Sequence, residues 1–206
     1  MAKERLLIVG DSFATPYPND SSIGWPLLAR EHYKVTNLAQ AGVSEYKIFK
    51  QLKSVSNIGQ YDFVVVAHTS PYRVHTRNSI HNTELHKDCD LLMSDVEAKT
   101  FTLDPAIRSA KGYFKYHFDP DYYQDVYNLI RKEINNLTRY VSTLHIDHFD
   151  MALPYAKEKY RLDLSSMWPY YKGSINHYTE EGNQIVFARI QERLKDIECG
   201  NIGVKP

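Results

Sequence analysis

The chain has 206 residues, and its 25 Lys and Arg residues are balanced by 25 Asp and Glu residues, so the formal net charge at pH 7 is zero. This length fits one domain with a well-buried core, and the 43% of hydrophobic residues exclude an intrinsically disordered chain. The charge balance argues against a general binder of nucleic acids or acidic membranes, because such proteins carry an excess of Lys and Arg.

The N-terminal segment predicts a soluble, cytoplasmic protein. Only Leu6–Val9 form an apolar run before Gly10, and this run is too short for the core of a secretory signal. No segment reaches the length of a membrane-spanning helix. Cys89 and Cys199 lie far apart in the sequence, so we expect two unpaired thiols rather than a disulfide framework.

Apolar segments of four to six residues predict β-strands. They are Arg5–Val9, Tyr33–Leu38, Asp62–Ala67 and Leu144–Phe149. The first and third hold continuous runs of Leu, Ile and Val, which are typical of parallel strands that are covered on both faces.

Helical patterns lie between and after these strands. The predicted helices are Trp25–Tyr33, Ser44–Ser54, Asp121–Ser142 and Thr179–Ile197. The third begins after an Asp-Pro pair, which is a common start signal. Its predicted buried stripe consists of Tyr122, Val126, Leu129, Ile130, Ile134, Leu137 and Val141.

The alternation of strands and helices predicts a three-layer α/β/α sandwich around a mostly parallel sheet. The polar stretch 71–118 interrupts this alternation after the third strand. A stretch of that length predicts a lid, or an insertion with short helices of its own. Neither a repeat nor a linker divides the sequence, so residues 1–206 are expected to form one domain.

Two short segments at opposite ends of the chain carry the residue types needed for catalysis. Gly10, Asp11 and Ser12 follow the first strand, and ligands of open parallel sheets bind outside the carboxyl ends of the strands. His177 directly precedes the last predicted helix, where a loop can present it as a general base.

Together these segments resemble blocks of the SGNH (GDSL-like) hydrolase family. Leu6–Ser12 is similar to the first block, Asn37–Ser44 to the second and His177–Asn183 to the last. The resemblance implies a parallel sheet of four or five strands in flavodoxin-like order.

The resemblance also implies roles for individual residues. Ser12 would be the nucleophile, His177 the general base, and Gly42 would donate its backbone N–H to the oxyanion hole. Asp11 is expected to order the nucleophile turn through hydrogen bonds.

The third block departs from the family pattern, which has Gly-x-Asn-Asp after the third strand. This chain has His68, Thr69 and Ser70 there, followed by Pro71 and Arg73. Ser70 is the predicted oxyanion-hole donor, and Thr69, His68 or Arg73 are alternatives. Loss of one such donor typically lowers turnover by about 10²–10³.

The acid of the triad is the second departure. The family usually carries Asp three residues before its His, and here this residue is Ser174. Ser174, Asn176 or a backbone carbonyl could hold the imidazole tautomer, whereas Asp163 or Glu180 could supply a carboxylate from elsewhere. A Ser-His dyad, a relocated acid and a loss of activity all remain open.

The predicted function is serine-dependent hydrolysis of a small ester or an acetylated carbohydrate through an acyl-enzyme, with no cofactor. The alternative is an inactive module of this fold that binds carbohydrate or has a structural role, since Tyr clusters such as Tyr113–Tyr116 and Tyr170–Tyr171 offer aromatic surface. A metal site at His81, His86 and Cys89 is not expected, because their spacing is not a recognised zinc pattern.

Overall fold

The computed structural model describes residues 3–16, 24–81, 83–99, 103–149 and 160–199. Its strands are β1 (Arg5–Gly10), β2 (Lys34–Asn37), β3 (Phe63–His68), β4 (Ser142–Asp147), β5 (Arg161–Asp163) and β6 (Lys172–Ile175). Its α-helices are α1 (Trp25–His32), α2 (Glu45–Lys53), α3 (Met93–Glu97), α4 (Pro105–Tyr116), α5 (Pro120–Thr138) and α6 (Glu180–Glu198). Short 3-10 helices cover Ile58–Gln60 and Glu84–His86.

The central sheet has five strands in the order β2-β1-β3-β4-β5, and every neighbouring pair is parallel. This confirms the predicted three-layer fold and its flavodoxin-like strand order. All four predicted strands are present, and β5 is a further strand at the edge. Strand β6 lies outside this sheet and forms one antiparallel bridge, between Lys172 and Tyr178.

The two faces of the sheet are covered by different helices, because alternate residues of a strand point to opposite faces. On one face, Leu6 and Ile8 of β1 pack in a buried cluster with residues of α1 and α6. On the other face, Leu7 and Val9 pack with residues of α2 and α5. The side chains of Leu6, Leu7, Ile8 and Val9 are completely buried, as their continuous apolar run predicts.

The predicted buried stripe of α5 is right at Ile134, Ile130 and Val141, which pack in one core cluster, but wrong at the exposed residues Tyr122, Leu129 and Leu137. The helix also ends earlier than predicted. α5 ends at Thr138, so Ser142 belongs to β4 instead. Leu129 is 63% exposed, whereas the buried positions are Tyr127, Arg131, Ile134 and Thr138. The helix turns a charged side chain inward because Arg131 pairs with a buried carboxylate, that of Asp147.

The predicted insertion contains two helices with a small apolar core of their own. Ile80, Val96, Ile107 and Ala110 form this core. α4 begins with the same Asp-Pro signal as α5, and the Asp104 carboxylate accepts a hydrogen bond from the N–H of Ala106 at 2.8 Å. Residues 82 and 100–102 of the segment lie outside the described residues.

Across the described ranges, none of the helices combines the length and the apolar character that crossing a membrane requires.

Candidate active site

Ser12 lies on a tight turn at the carboxyl end of β1. The chain reaches this turn where β1 passes β3 very closely: a Cβ on Gly10 would lie 2.7 Å from the Cβ of Ala67. Only glycine fits at such an approach. The Asp11 carboxylate then accepts a hydrogen bond from the N–H of Phe13 at 3.0 Å, and this bond closes the turn around Ser12.

His177 reaches Ser12 from the loop between β6 and α6. Its Nε2 lies 2.7 Å from the Ser12 Oγ, which is within hydrogen-bond distance. His177 and the preceding Asn176 both have left-handed backbone conformations, with φ values of 64° and 48°. Such conformations cost about 1–3 kcal/mol per residue and are often found at functional sites.

Asn176 holds the histidine loop against the nucleophile turn. Its side-chain amide donates hydrogen bonds to the carbonyl oxygens of Ser12, at 3.1 Å, and of Thr15, at 2.9 Å. The amide is buried, so both bonds are shielded from water. This contact fixes the separation between the loop that carries the base and the turn that carries the nucleophile.

The His177 imidazole is set up to accept a proton. Its ring is tilted against the Phe13 ring, with centroids 4.4 Å apart. Burial lowers the pKa of His177 below its ordinary value, and the charges of Arg73 and His86 lower it further. The neutral form therefore predominates at pH 7, and this is the form that a general base requires.

Gly42 lies on the second loop of the site and is also held in a left-handed conformation, with φ of 66°. A Cβ at this position would lie 2.2 Å from the Sγ of Cys89, so another residue fits only if the Cys89 side chain moves away. Among the described residues, no group accepts a hydrogen bond from the N–H of Gly42 or of Ser12. Free N–H groups of this kind are what an oxyanion hole requires.

The third-block candidates are separated by their hydrogen bonds. The Ser70 Oγ accepts a bond from the N–H of Tyr72 at 3.3 Å, which leaves its own proton available for donation. The Thr69 side chain is buried and faces the Asp11 carboxylate, and its hydrogen bond there lowers the pKa of Asp11. His68 is bonded through both ring nitrogens to other side chains, and Arg73 donates to the carbonyl of Gly42.

Among the residues that the structure describes, no acid lies against His177. Ser174 is exposed, and no hydrogen bond joins it to the imidazole. Asp163 instead accepts from the N–H of Ser165, and Glu180 is an exposed residue in the first turn of α6. Within the described ranges, no carboxylate forms a hydrogen bond or an ion pair with His177. Within those ranges, the site consists of Ser12 and His177 alone, which is a Ser-His dyad.

A buried polar network lies below the site, between the sheet and the helices α2 and α5. His68 Nδ1 lies 2.6 Å from the Glu45 carboxylate, and His68 Nε2 lies 2.9 Å from Nδ1 of His145. Farther along, the Arg131 guanidinium donates to the Asp147 carboxylate at 2.6 Å. Burial raises the pKa of Glu45 to about 8, although the charge of Arg131 opposes this shift.

Most of this network has no local signal in the sequence, because charged residues on a helix are usually exposed. Burial would raise the pKa of Asp147, but the charges of His68, Arg131 and Arg161 together lower it to about 2. The network therefore contains a stable buried anion. No group of three or more His, Cys, Asp or Glu side chains in the described part of the chain is arranged to hold a metal ion.

No protein-family model matches the sequence, and no curated protein matches it either. Solved structures do match the fold. One is a protein from Desulfitobacterium hafniense that is described as lipolytic and of the G-D-S-L family, with 9% identity, a TM-score of 0.52, and coverage of 93% of this chain and 99% of that one. Another is Axe2, an acetylxylan esterase from Geobacillus stearothermophilus, with 11% identity, a TM-score of 0.51 and 94% coverage of both chains. The expected SGNH-like fold is thus confirmed.

Proposed function

We propose that this protein is a serine-dependent ester hydrolase that acts through a covalent acyl-enzyme. The observation that carries the proposal is the 2.7 Å contact between the Ser12 Oγ and the His177 Nε2. Both residues belong to loops at the carboxyl edge of a parallel sheet, where this class of fold binds its ligands.

In the first half of the reaction, His177 removes the hydroxyl proton of Ser12, and the Ser12 oxygen attacks the ester carbonyl. The N–H groups of Ser12 and Gly42, with the Ser70 hydroxyl as a third donor, stabilise the negative oxygen of the tetrahedral intermediate. The intermediate then collapses, the bond to the alcohol oxygen breaks, and His177 gives its proton to the leaving alcohol.

In the second half, His177 takes a proton from a water molecule, which attacks the acyl group on Ser12. A second tetrahedral intermediate forms and breaks at the bond to Ser12, whose oxygen receives the proton from His177. The products are the free acid and the regenerated hydroxyl. No carboxylate of the described residues supports the imidazolium. The Phe13 ring packs against the His177 ring, and the Asn176 amide holds the loop that carries His177 against the Ser12 turn.

An acetylated carbohydrate is the substrate class that we propose. A shallow cleft of about 60 Å³ beside the second block is too small to enclose a sugar, but its aromatic rings and cation offer a surface against which one face of a sugar ring can stack. Its lining includes Tyr46, Arg73, His75, Tyr123 and Tyr127. Arg73 connects this cleft with the second block, since its Nη1 lies 3.2 Å from the carbonyl oxygen of Gly42. The acetylxylan esterase named above supports the same class.

The test is hydrolysis of p-nitrophenyl acetate by the wild type and by Ser12→Ala and His177→Ala variants. Removing either dyad member is expected to lower kcat by at least about 10³, because nucleophile and base act as a unit. Ser165→Ala serves as a control, since this serine lies on the turn after β5. Equal rates in the wild type and both dyad variants would refute the proposal.

The alternative is an inactive module that binds carbohydrate, and it is favoured by a His177 that has no carboxylate partner among the described residues. The Ser12→Ala variant separates the two functions when it is titrated with acetylated and deacetylated xylo-oligosaccharides. Binding by a protein whose wild type never releases acetate would establish the module. Release of acetate that depends on Ser12 would establish the hydrolase.

A further inference from the structure

Asp90 is a buried centre of hydrogen bonds in the segment that was predicted to be a lid. It is 1% exposed, although it carries a carboxylate. One carboxylate oxygen accepts from the N–H of Ser44 at 2.7 Å. The other accepts from the N–H of Thr76 at 2.8 Å and contacts the Lys47 ammonium at 2.9 Å. A buried carboxylate with this many partners holds the surrounding backbone in one arrangement.

Cys89 and Asp90 donate hydrogen bonds to both peptide groups that flank the Cα of Gly42. The Cys89 thiol donates to the carbonyl oxygen of Ala41 at 3.1 Å. The N–H of Asp90 donates to the carbonyl oxygen of Gly42 at 2.8 Å, and Arg73 donates to that oxygen as well. The segment 71–118 thus contacts the second block directly at these residues.

The contact at Ala41 determines where the N–H of Gly42 points. The carbonyl of Ala41 and the N–H of Gly42 belong to one planar trans peptide group, in which they point in opposite directions. A donor that holds the carbonyl on the Cys89 side therefore turns the N–H to the other side. The hydrogen bonds that Asp90 and Arg73 donate to the Gly42 carbonyl keep Gly42 in its left-handed conformation.

We propose that Cys89 and Asp90 are positioning residues that fix the Gly42 N–H as an oxyanion-hole donor of the proposed ester hydrolase. This inference rests on that proposed function. It assigns the segment 71–118 a part in building the site, which a lid that only covers the substrate would not have. Neither residue touches the substrate in this arrangement, because both act through the Gly42 backbone.

The chain supplies matched pairs of variants for the test. Cys89→Ala removes the thiol donor, Cys89→Ser keeps a donor at that place, and Cys199→Ala is the control at the exposed cysteine. Asp90→Asn weakens the carboxylate centre, and Asp88→Asn is the control at an exposed carboxylate two residues away. Each is assayed with p-nitrophenyl acetate and with phenylboronic acid, whose tetrahedral adduct on a serine places an oxygen in the oxyanion hole.

We expect Cys89→Ala and Asp90→Asn to lower kcat about tenfold with little change in KM, a part of the about 10²–10³ that a whole oxyanion donor contributes. Inhibition by phenylboronic acid should weaken by the same factor. Cys89→Ser should recover most of the rate, whereas a pure packing role predicts that a buried hydroxyl does no better than alanine. Both control variants should match the wild type.

Two results would overturn the inference. One is an unchanged kcat in Cys89→Ala. The other is a Cys89→Ser variant that is no more active than Cys89→Ala at equal folded fraction, as measured by circular dichroism. If Asp90→Asn does not fold, the cysteine pair still decides. A wild type whose activity does not depend on Ser12 would instead refute the proposed hydrolase itself.

Discussion

Histidines occur at two places near the carboxyl edge of the sheet, and their surroundings differ. His177 is partly exposed; its Nε2 contacts Ser12, and no described residue bonds to its second ring nitrogen. His68 is 1% exposed, and its two ring nitrogens contact Glu45 and His145. The first ring keeps the capacity to take a proton from Ser12 and pass it on. The second already uses its bonding capacity within the fold.

Burial and full hydrogen bonding thus turn the same kind of side chain into a structural element. Glu45 joins the two places, because its second carboxylate oxygen accepts from the N–H of Thr69 at 3.3 Å. Thr69 belongs to the third block of the site. The buried network therefore supports the site from below without taking part in proton transfer.

Replacing His68 with Ala should have the largest effect on stability, and it directly tests whether His68 is structural where His177 is not. Removal leaves Glu45 buried without its imidazole partner, which typically costs about 3 kcal/mol. The free energy of unfolding, measured in urea, should fall by about that amount. His177→Ala should lose activity but remain within about 0.5 kcal/mol of the wild type.

The control for this comparison is His117→Ala, at an exposed histidine after α4. It should change neither the free energy of unfolding nor kcat. A His68→Ala variant as stable as His117→Ala would show that the buried network contributes nothing to the fold.

Asp11→Asn should have a smaller effect, and one that depends on pH. Burial raises the pKa of Asp11 to about 6, although the Phe13 N–H and the charge of Arg73 oppose the shift. Because this pKa lies above the ordinary value of 3.8, the wild type loses stability as the pH rises from about 4 to about 6. Asparagine keeps an acceptor for the Phe13 N–H and does not titrate.

The melting temperatures of the two proteins should therefore agree near pH 4 and diverge in favour of Asp11→Asn up to pH 7. The expected difference is about 2 kcal/mol in the free energy of unfolding. A difference that is constant from pH 4 to pH 7 would mean that Asp11 does not titrate in this range.

Asn176→Asp should have the smallest effect, and it tests how the dyad is held. Aspartate tolerates the left-handed conformation as asparagine does, but its carboxylate cannot donate to the carbonyls of Ser12 and Thr15. We expect kcat for p-nitrophenyl acetate to fall about tenfold, which equals about 1.4 kcal/mol. Asn78→Asp, at an exposed asparagine, is the matched control. Equal rates in both variants would exclude a role for the amide.

The regular part of the fold was predictable from local sequence patterns. Continuous apolar runs located β1 and β3, and the predicted helix Ser44–Ser54 agrees with α2 to within one residue at each end. Helix α4 was missed, although Asp104 and Pro105 carry the same start signal that was recognised before α5. In this case the signal was present and the polar surroundings concealed it.

The buried network and the hydrogen bonds around Gly42 had no such local signal. Arg131 faces inward only because Asp147, on a strand, lies opposite it in the folded chain. Asp90 likewise stands in a polar stretch, and its partners Ser44 and Lys47 lie on another element. Charged residues are usually exposed, so tertiary pairing alone decides these positions. The Ser12 and His177 pair was predictable only through the resemblance of its flanking blocks.

The position of the dyad in the chain determines when catalysis can begin during synthesis. Ser12 and His177 are separated by 165 residues, and the Asn176 contact that joins their loops spans nearly the same distance. All residues from Ser12 to His177 must leave the ribosome before nucleophile and base can meet. Covalent labelling of Ser12 by a fluorophosphonate on stalled nascent chains of increasing length would therefore report the completion of the fold.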